Sequence, residues 1–149
     1  MDTRFGYEGI LFGCAIPPKL AATGTLTSDG IDRSGYQGDA VFTVSHGVAV
    51  GRPSAFSVNA HVEESDTYGS NYTDVDLAAD VDEGDDAITE MNDDSSTYGI
   101  EVLRVKLENR KKYLRLVCVI VCTGGTGIPV QSTYALTGAR ELPVTQPVS

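Results

Sequence analysis

At 149 residues the chain suits one domain, and a domain of this size buries roughly 68–70% of the surface its unfolded form exposes, enough for a substantial core. The formal net charge is −10, from 11 Lys and Arg against 21 Asp and Glu, which argues against a general nucleic-acid binder because phosphate neutralisation needs clustered cations. The longest apolar run, Leu116 to Cys122, is too short to span a bilayer, and the opening MDTRFGYEGI lacks the basic region and apolar core of a signal peptide, so a soluble chain made in the cytoplasm is expected.

Met1 to Leu20 carries a short apolar piece, Gly9 to Ile16, closed by Pro17-Pro18, which lack amide donors and favour extended neighbours. Residues 1–20 therefore read as an N-terminal arm or edge strand ahead of a single domain over 21–149. Ala22 to Thr27 is a weak strand running into the Asp29-Gly30 turn signal. Asp39 to Val50 is a strong one, with Ala40, Phe42 and Val44 opposite Val41, Thr43 and Ser45, and Gly47 marks a bulge. Ser54 to Glu63 alternates cleanly: Phe56, Val58, Ala60 and Val62 face one way, Ser57, Asn59, His61 and Glu63 the other, which predicts one buried and one wet face. A turn cluster, Ser65 to Asn71, leads to a short return strand, Tyr72 to Leu77.

Ala78 to Ser96 is an acidic loop with one helical turn over Asp85 to Met91, expected to be mobile because its charges repel. Three strands follow. Tyr98 to Leu107 places Ile100 and Val102, then after a shift Val105 and Leu107, among polar neighbours. Lys111 to Cys122 alternates and then becomes continuously apolar. Ile128 to Gly138 puts Val130, Ser132, Tyr134 and Leu136 on one side. This patterning, broken by Glu108-Asn109-Arg110 and Gly124-Gly125-Thr126-Gly127, predicts an antiparallel meander with a glycine-rich hairpin loop. The sum is about seven to nine strands, which predicts an all-β fold, an antiparallel β-sandwich of jelly-roll type.

Charge is unevenly spread. Residues 53–103 contain no Lys or Arg, and Glu63 to Asp94 hold 13 of the 21 acidic residues. Arg104, Lys106, Arg110, Lys111, Lys112 and Arg115 gather on the strands that follow. The arrangement predicts a solvated acidic loop facing a basic sheet surface, or a contact between that loop and a basic partner subunit. Cys118 and Cys122 share a strand face roughly 13 Å apart, beyond the roughly 7 Å Cα separation a disulfide tolerates. Together with Cys14 they are expected to be buried free thiols.

Residues of catalytic type are scarce. His46 and His61 are the only histidines. Neither lies near a nucleophile motif, and both read as surface residues. Without HExxH or paired CxxC there is little basis for zinc. The run Asp80 to Asp86 departs from EF-hand spacing, with glycine at the fifth position and Met91 at the twelfth. Carboxylates crowded into one loop are not the spaced pair of a glycoside hydrolase. No catalytic, cofactor or metal residue is assigned, and a non-enzymatic protein without a cofactor is expected.

Four stretches carry a resemblance: Gly30-Ile31-Asp32-Arg33-Ser34-Gly35-Tyr36 leading into Ala40 to Ser45; Val58 to Val75 (VNAHVEESDTYGSNYTDV); Asn109 to Val121 (NRKKYLRLVCVIV); and Tyr134 to Val144 (YALTGARELPV). Together they resemble small virion proteins of tailed bacteriophages, most of all the capsid cement or decoration proteins. The resemblance implies a protein of the capsid surface that binds the major capsid protein and ties neighbouring subunits. A homo-oligomer, dimer or trimer, is implied, with no direct nucleic-acid or membrane contact. The candidate contacts are Phe5, Tyr7 and Ile10 of the N-terminal segment, exposed sheet edges and the acidic loop. On this reading, deleting Met1 to Lys19 weakens docking without unfolding the sandwich. Two other readings compete: another virion component of neck or tail, and a carbohydrate- or surface-binding β-sandwich module using Tyr68, Tyr72 and Tyr98.

Overall fold

The computed structural model describes residues 9–75, 87–88 and 98–140. Ten strands follow one another there: β1 Leu11–Ala21, β2 Gly24–Thr27, β3 Ile31–Asp32, β4 Asp39–His46, β5 Ala55–Ser65, β6 Thr73–Asp74, β7 Ala87–Ile88, β8 Gly99–Lys106, β9 Tyr113–Thr123 and β10 Ile128–Leu136. Among the described residues no helix is long and apolar enough to cross a membrane. The strands form two sheets. One has the order β1-β10-β4-β8; the other runs β2-β9-β5-β6, with β3 also on β9 and β7 also on β5. Every pairing is antiparallel. The expected all-β sandwich is present, and its strand order is that of a jelly roll.

Period-two patterning fills the space between the sheets. From the four-stranded sheet come Ile16, Phe42, Val44, Leu103, Val105, Ile128 and Leu136; from the other come Val58, Val62, Leu114, Leu116, Cys118 and Ile120, all nearly or fully buried. Val41, Thr43 and Ser45 lie on the opposite side of β4, as the alternation predicts. In β8 the buried phase is Leu103 and Val105, continued by Leu107, whereas Ile100 and Val102 face outward.

The meander does not form. β8 pairs with β4 and β10 with β4 and β1, while β9 lies in the other sheet between β5 and β2. Gly124 to Gly127 is accordingly an arch between sheets, tied to the preceding loop by Val50 N–H to Gly127 O at 2.8 Å and Thr126 N–H to Val50 O at 2.7 Å. The physical reason is that alternation specifies which face of a strand is buried, and both layers of a sandwich satisfy that condition equally. Gly47 produces no bulge: β4 ends at His46, and the Gly47 amide donates to Pro129 O at 2.8 Å.

Two strands are interrupted, each in a way that matters. Thr27 pairs with Val117 and Ile31 with Leu114, so β2 and β3 carry one residue more than β9 across that stretch. Ser28 covers the irregularity: its Oγ accepts from the buried Leu116 amide at 2.8 Å and donates to Asp29 O at 3.0 Å. On the other edge Asp74 stands opposite Glu63 and Ala87 opposite His61. A continuous strand would place residue 76 opposite His61, so the chain carries an insertion of eleven residues between β6 and β7. The acidic loop expected over 78–96 falls almost wholly outside the described residues. The helical turn expected over Asp85 to Met91 is contradicted at Ala87–Ile88, which pair with β5 as strand.

The N-terminal segment is built into the sheet from Leu11 onward. β1 is an edge strand on β10, with register shifts at Ala15 and at Pro17-Pro18, where proline cannot contribute to the ladder. Ile16 and Ala21 are 3% and 2% exposed, so removing Met1 to Lys19 would uncover core and free the β10 edge. The expectation that such a deletion spares the sandwich is corrected. A docking test must stop before Leu11.

Two substitutions measure these interactions. Phe42→Ala is expected to lower stability by about 3–5 kcal/mol, the range for emptying a buried aromatic site, by urea unfolding. Ser28→Ala, which orphans the Leu116 amide, should cost about 1–3 kcal/mol in the same measurement.

Candidate functional site

The sandwich turns two chemically different faces outward. On the four-stranded sheet the outward positions are Phe12 and Cys14 of β1, Thr133 and Ala135 of β10, Val41, Thr43 and Ser45 of β4, and Ile100 and Val102 of β8, a set that follows from the registers between these strands. Phe12, Ile100 and Val102 are 52%, 62% and 50% exposed. Phe12, Cys14, Val41, Thr43, Thr133 and Ala135 line a shallow hollow of about 620 Å³. Charge enters this face where Arg104, opposite Val41, meets Asp39 at 3.9 Å beside Lys106, and again at the far end, where Lys19 lines a hollow with Ser45 and Gln131. The exposed apolar side chains of this face make it a candidate interaction surface.

The six-stranded sheet carries Val117, Val119 and Val121 beside Ser57, Asn59, Thr25 and Thr27 along part of its outer face, and a charged network along the rest. Glu63 Oε2 accepts from Arg115 at 2.5 Å, and the Arg115 guanidinium lies 4.0 Å from the centroid of the Tyr72 ring. His61 Nε2 sits 3.3 Å from Glu63 Oε1 and 3.5 Å from Asp74 Oδ1. These three residues are the one described group of side chains able to converge on a metal ion. At the adjoining end, Glu64 accepts from the Lys111 amide at 2.9 Å and faces Arg110 at 3.8 Å, while Asp66 accepts from the Lys112 amide at 3.2 Å. Arg33 caps the same loop by donating to the carbonyls of Arg110 and Lys111. Burial, and then the neighbouring charge of Arg140, pulls the Arg33 guanidinium below its usual range. Part of the basic cluster noted in the sequence thus binds carboxylates of β5 and its turn.

Of the candidate contact residues, Ile10 is half-buried just before β1, and Phe5 and Tyr7 lie outside the described residues. The tyrosines do not gather. Tyr68 packs edge-on to Tyr113 at 5.5 Å, near Tyr72, whereas Tyr98 precedes the opposite end of β8, beside Gly99 and His46. His46 is not at the surface. It is 4% exposed, its Nδ1 is 3.0 Å from Gly47 O, its ring stands edge-on to Phe56 at 5.2 Å, and its Nε2 is buried without a hydrogen-bond partner. The reason is parity: His46 continues the inward phase of Phe42 and Val44. The outward face of Phe12, Ile100 and Val102 was not singled out from the sequence, although the two apolar phases within Tyr98 to Leu107 were its signal.

The cysteines divide likewise. Cys118 and Cys122 are buried and unpaired as expected, but Cys14 is exposed, because β1 is an edge strand and Cys14 points outward from it. Burial pushes the Cys118 thiol up to about 12.

No family model matches the chain, and no curated protein matches it. Solved structures give loose likenesses. A protein of Bacillus endospore appendages, described as a family of disulfide-linked pili, shares 13% identity over 87% of this chain and 89% of its own, with a TM-score of 0.44. A module from Clostridium stercorarium, solved with cellobiose, shares 11% over 88% and 82% with a TM-score of 0.35. A nora virus structure shares 10% over 94% of this chain and 61% of its own, with a TM-score of 0.29. The jelly-roll assignment rests on the chain's own strand order.

Two outcomes follow from the thiols. With an aromatic disulfide reagent under native conditions, one thiol of three should react quickly, and Cys14→Ser should remove it. On the alkaline side the unfolded chain loses its Cys118 proton near the ordinary thiol value of 9.0 while the folded one holds it to about 12. The folded state then binds more protons, so stability is full below pH 9 and falls as pH rises, by at most roughly 1.4 kcal/mol per pH unit from this group. Raised Tyr36 and Tyr134 hydroxyls, both shifted by burial, act in the same direction. Unfolding followed from pH 8 to 11 should show the decline, with a shallower slope in Cys118→Ala.

Proposed function

We propose that the chain is a structural, non-enzymatic protein of a virion, a decoration protein that docks on the assembled major capsid protein through the outer face of its four-stranded sheet. The observation that carries this reading is the set of exposed apolar side chains on that face, Phe12, Ile100 and Val102 about Val41, Thr43 and Ala135, with Arg104 as the charged neighbour of Val41, on a chain whose net charge is −10. A surface of modest area suffices where many copies bind one shell, because repeated contacts add avidity. The histidines support the non-enzymatic part. Among the described residues, the contacts of His61 are the carboxylates of Glu63 and Asp74, and those of His46 are the Gly47 carbonyl and the Phe56 ring. The resemblance of the four sequence stretches to cement proteins supports a capsid position.

Co-sedimentation with assembled heads tests the proposal. Ile100→Glu with Val102→Glu should lower occupancy at least about tenfold and leave the unfolding midpoint close to that of the parent, as surface substitutions do. Ser57→Glu on the other face should change nothing. Deletion of Met1 to Glu8 should reduce occupancy if Phe5 and Tyr7 contribute. Undiminished binding of the double variant, attachment in a small ring at one vertex, or saturable binding to a glycan array would overturn the proposal.

A further inference from the structure

We propose that His61, Glu63 and Asp74 form a site for a divalent transition metal, zinc by its donor set, which staples β6 to β5 at the root of the acidic insertion. The site lies on the six-stranded sheet, away from the docking strip, so the two proposals stand or fall separately.

Strand geometry brings the donors together. His61 and Glu63 are two residues apart on β5 and therefore share a face, and Asp74 stands directly opposite Glu63 on β6. The donor atoms all lie within 4.8 Å of one another. Like charges directly opposite one another in a sheet are destabilising, so this pair of carboxylates calls for a cation between them. Arg115 neutralises Glu63 through Oε2 alone, leaving Oε1 turned toward His61. One imidazole N–H cannot serve both carboxylates well at 3.3 and 3.5 Å. Those separations match instead the edges of a tetrahedron around zinc: ligands roughly 2.0–2.2 Å from the ion lie about 3.3–3.5 Å apart.

The surroundings resemble a supporting shell. A metal-binding carboxylate is usually held by a further hydrogen bond, and Arg115 holds Glu63 in this way while Tyr72 backs Arg115 at 4.0 Å. The Glu63 side chain is 15% exposed and rigidly placed, whereas Asp74 is 78% exposed and His61 33%, which leaves an open approach and room for a water as fourth ligand. Imidazole nitrogen with carboxylate oxygen favours zinc, cobalt or nickel over calcium and magnesium, which take oxygen alone.

The test is titration of the full chain with Zn²⁺ by calorimetry, and with Co²⁺ by visible absorption, in the parent and in His61→Gln, Asp74→Asn, Cys14→Ser and Arg115→Gln. The expected result is one ion per chain and a tetrahedral Co²⁺ spectrum, both retained in Cys14→Ser. Affinity should fall at least roughly a hundredfold in His61→Gln and roughly 10–100-fold in Arg115→Gln, the range for a supporting residue. Circular dichroism and metal-free melting of each variant establish that it is folded, and added Zn²⁺ should raise the melting temperature of the parent but not of His61→Gln. Absence of binding at millimolar metal, binding unchanged in His61→Gln, or binding lost in Cys14→Ser would each overturn the proposal.

Discussion

β9 is bonded on both sides, to β5 along eleven register pairs from Ala55–Thr123 to Ser65–Tyr113, and to β2 and β3 on its other edge. It also drives Leu114, Leu116, Cys118, Ile120 and Cys122 into the core. A strand committed in three directions leaves little freedom to its neighbours. β5 must present Val58, Ala60 and Val62 to the same core, and the β2–β3 irregularity must be absorbed by Ser28. The facing sheet then closes over this layer with Phe42, Val44, Leu103 and Leu136. Apolar burial between layers is the dominant favourable term in such a fold, and here it depends on the placement of this one strand.

Closing the sandwich leaves two outer faces that do different things. On one part of the six-stranded sheet the outward side chains are occupied with one another: Tyr72 on Arg115, Arg115 on Glu63, Glu63 and Asp74 around His61. On the four-stranded sheet most are small, β-branched or aromatic, with Arg104 opposite Val41 and Lys19 near Ser45 and Gln131. The first face consolidates the edge from which the acidic insertion departs. The second offers a surface to something else. For the function proposed, rigid strands would hold contact residues in place at little entropic cost.

Much of this was legible in the residues. The clean alternation of Ser54 to Glu63 and of Asp39 to Ser45 predicted both the strands and their buried phases, since a half-buried strand must alternate. Chain spacing ruled out a Cys118–Cys122 bridge, and both thiols are free. The errors share one origin. The meander, the hairpin at Gly124 to Gly127, the surface placement of His46 and the burial of Cys14 all required knowing which layer a strand joins or whether it lies at an edge. His46 shows this most clearly: its parity matched Phe42 and Val44, yet the adjoining glycine suggested a turn at the surface.

The sequence by itself determined the class of fold, the approximate strands and the face each one buries, because those follow from local periodicity and turn residues. Tertiary structure alone decided that β8, β9 and β10 alternate between sheets, that Phe12 on one edge strand and Ile100 and Val102 on the other share one outer surface, and that Asp74 comes to His61 and Glu63. Such meetings join residues far apart in the chain, 88 positions between Phe12 and Ile100. They depend on register across strands, which hydrogen bonding sets between partners and no single strand encodes.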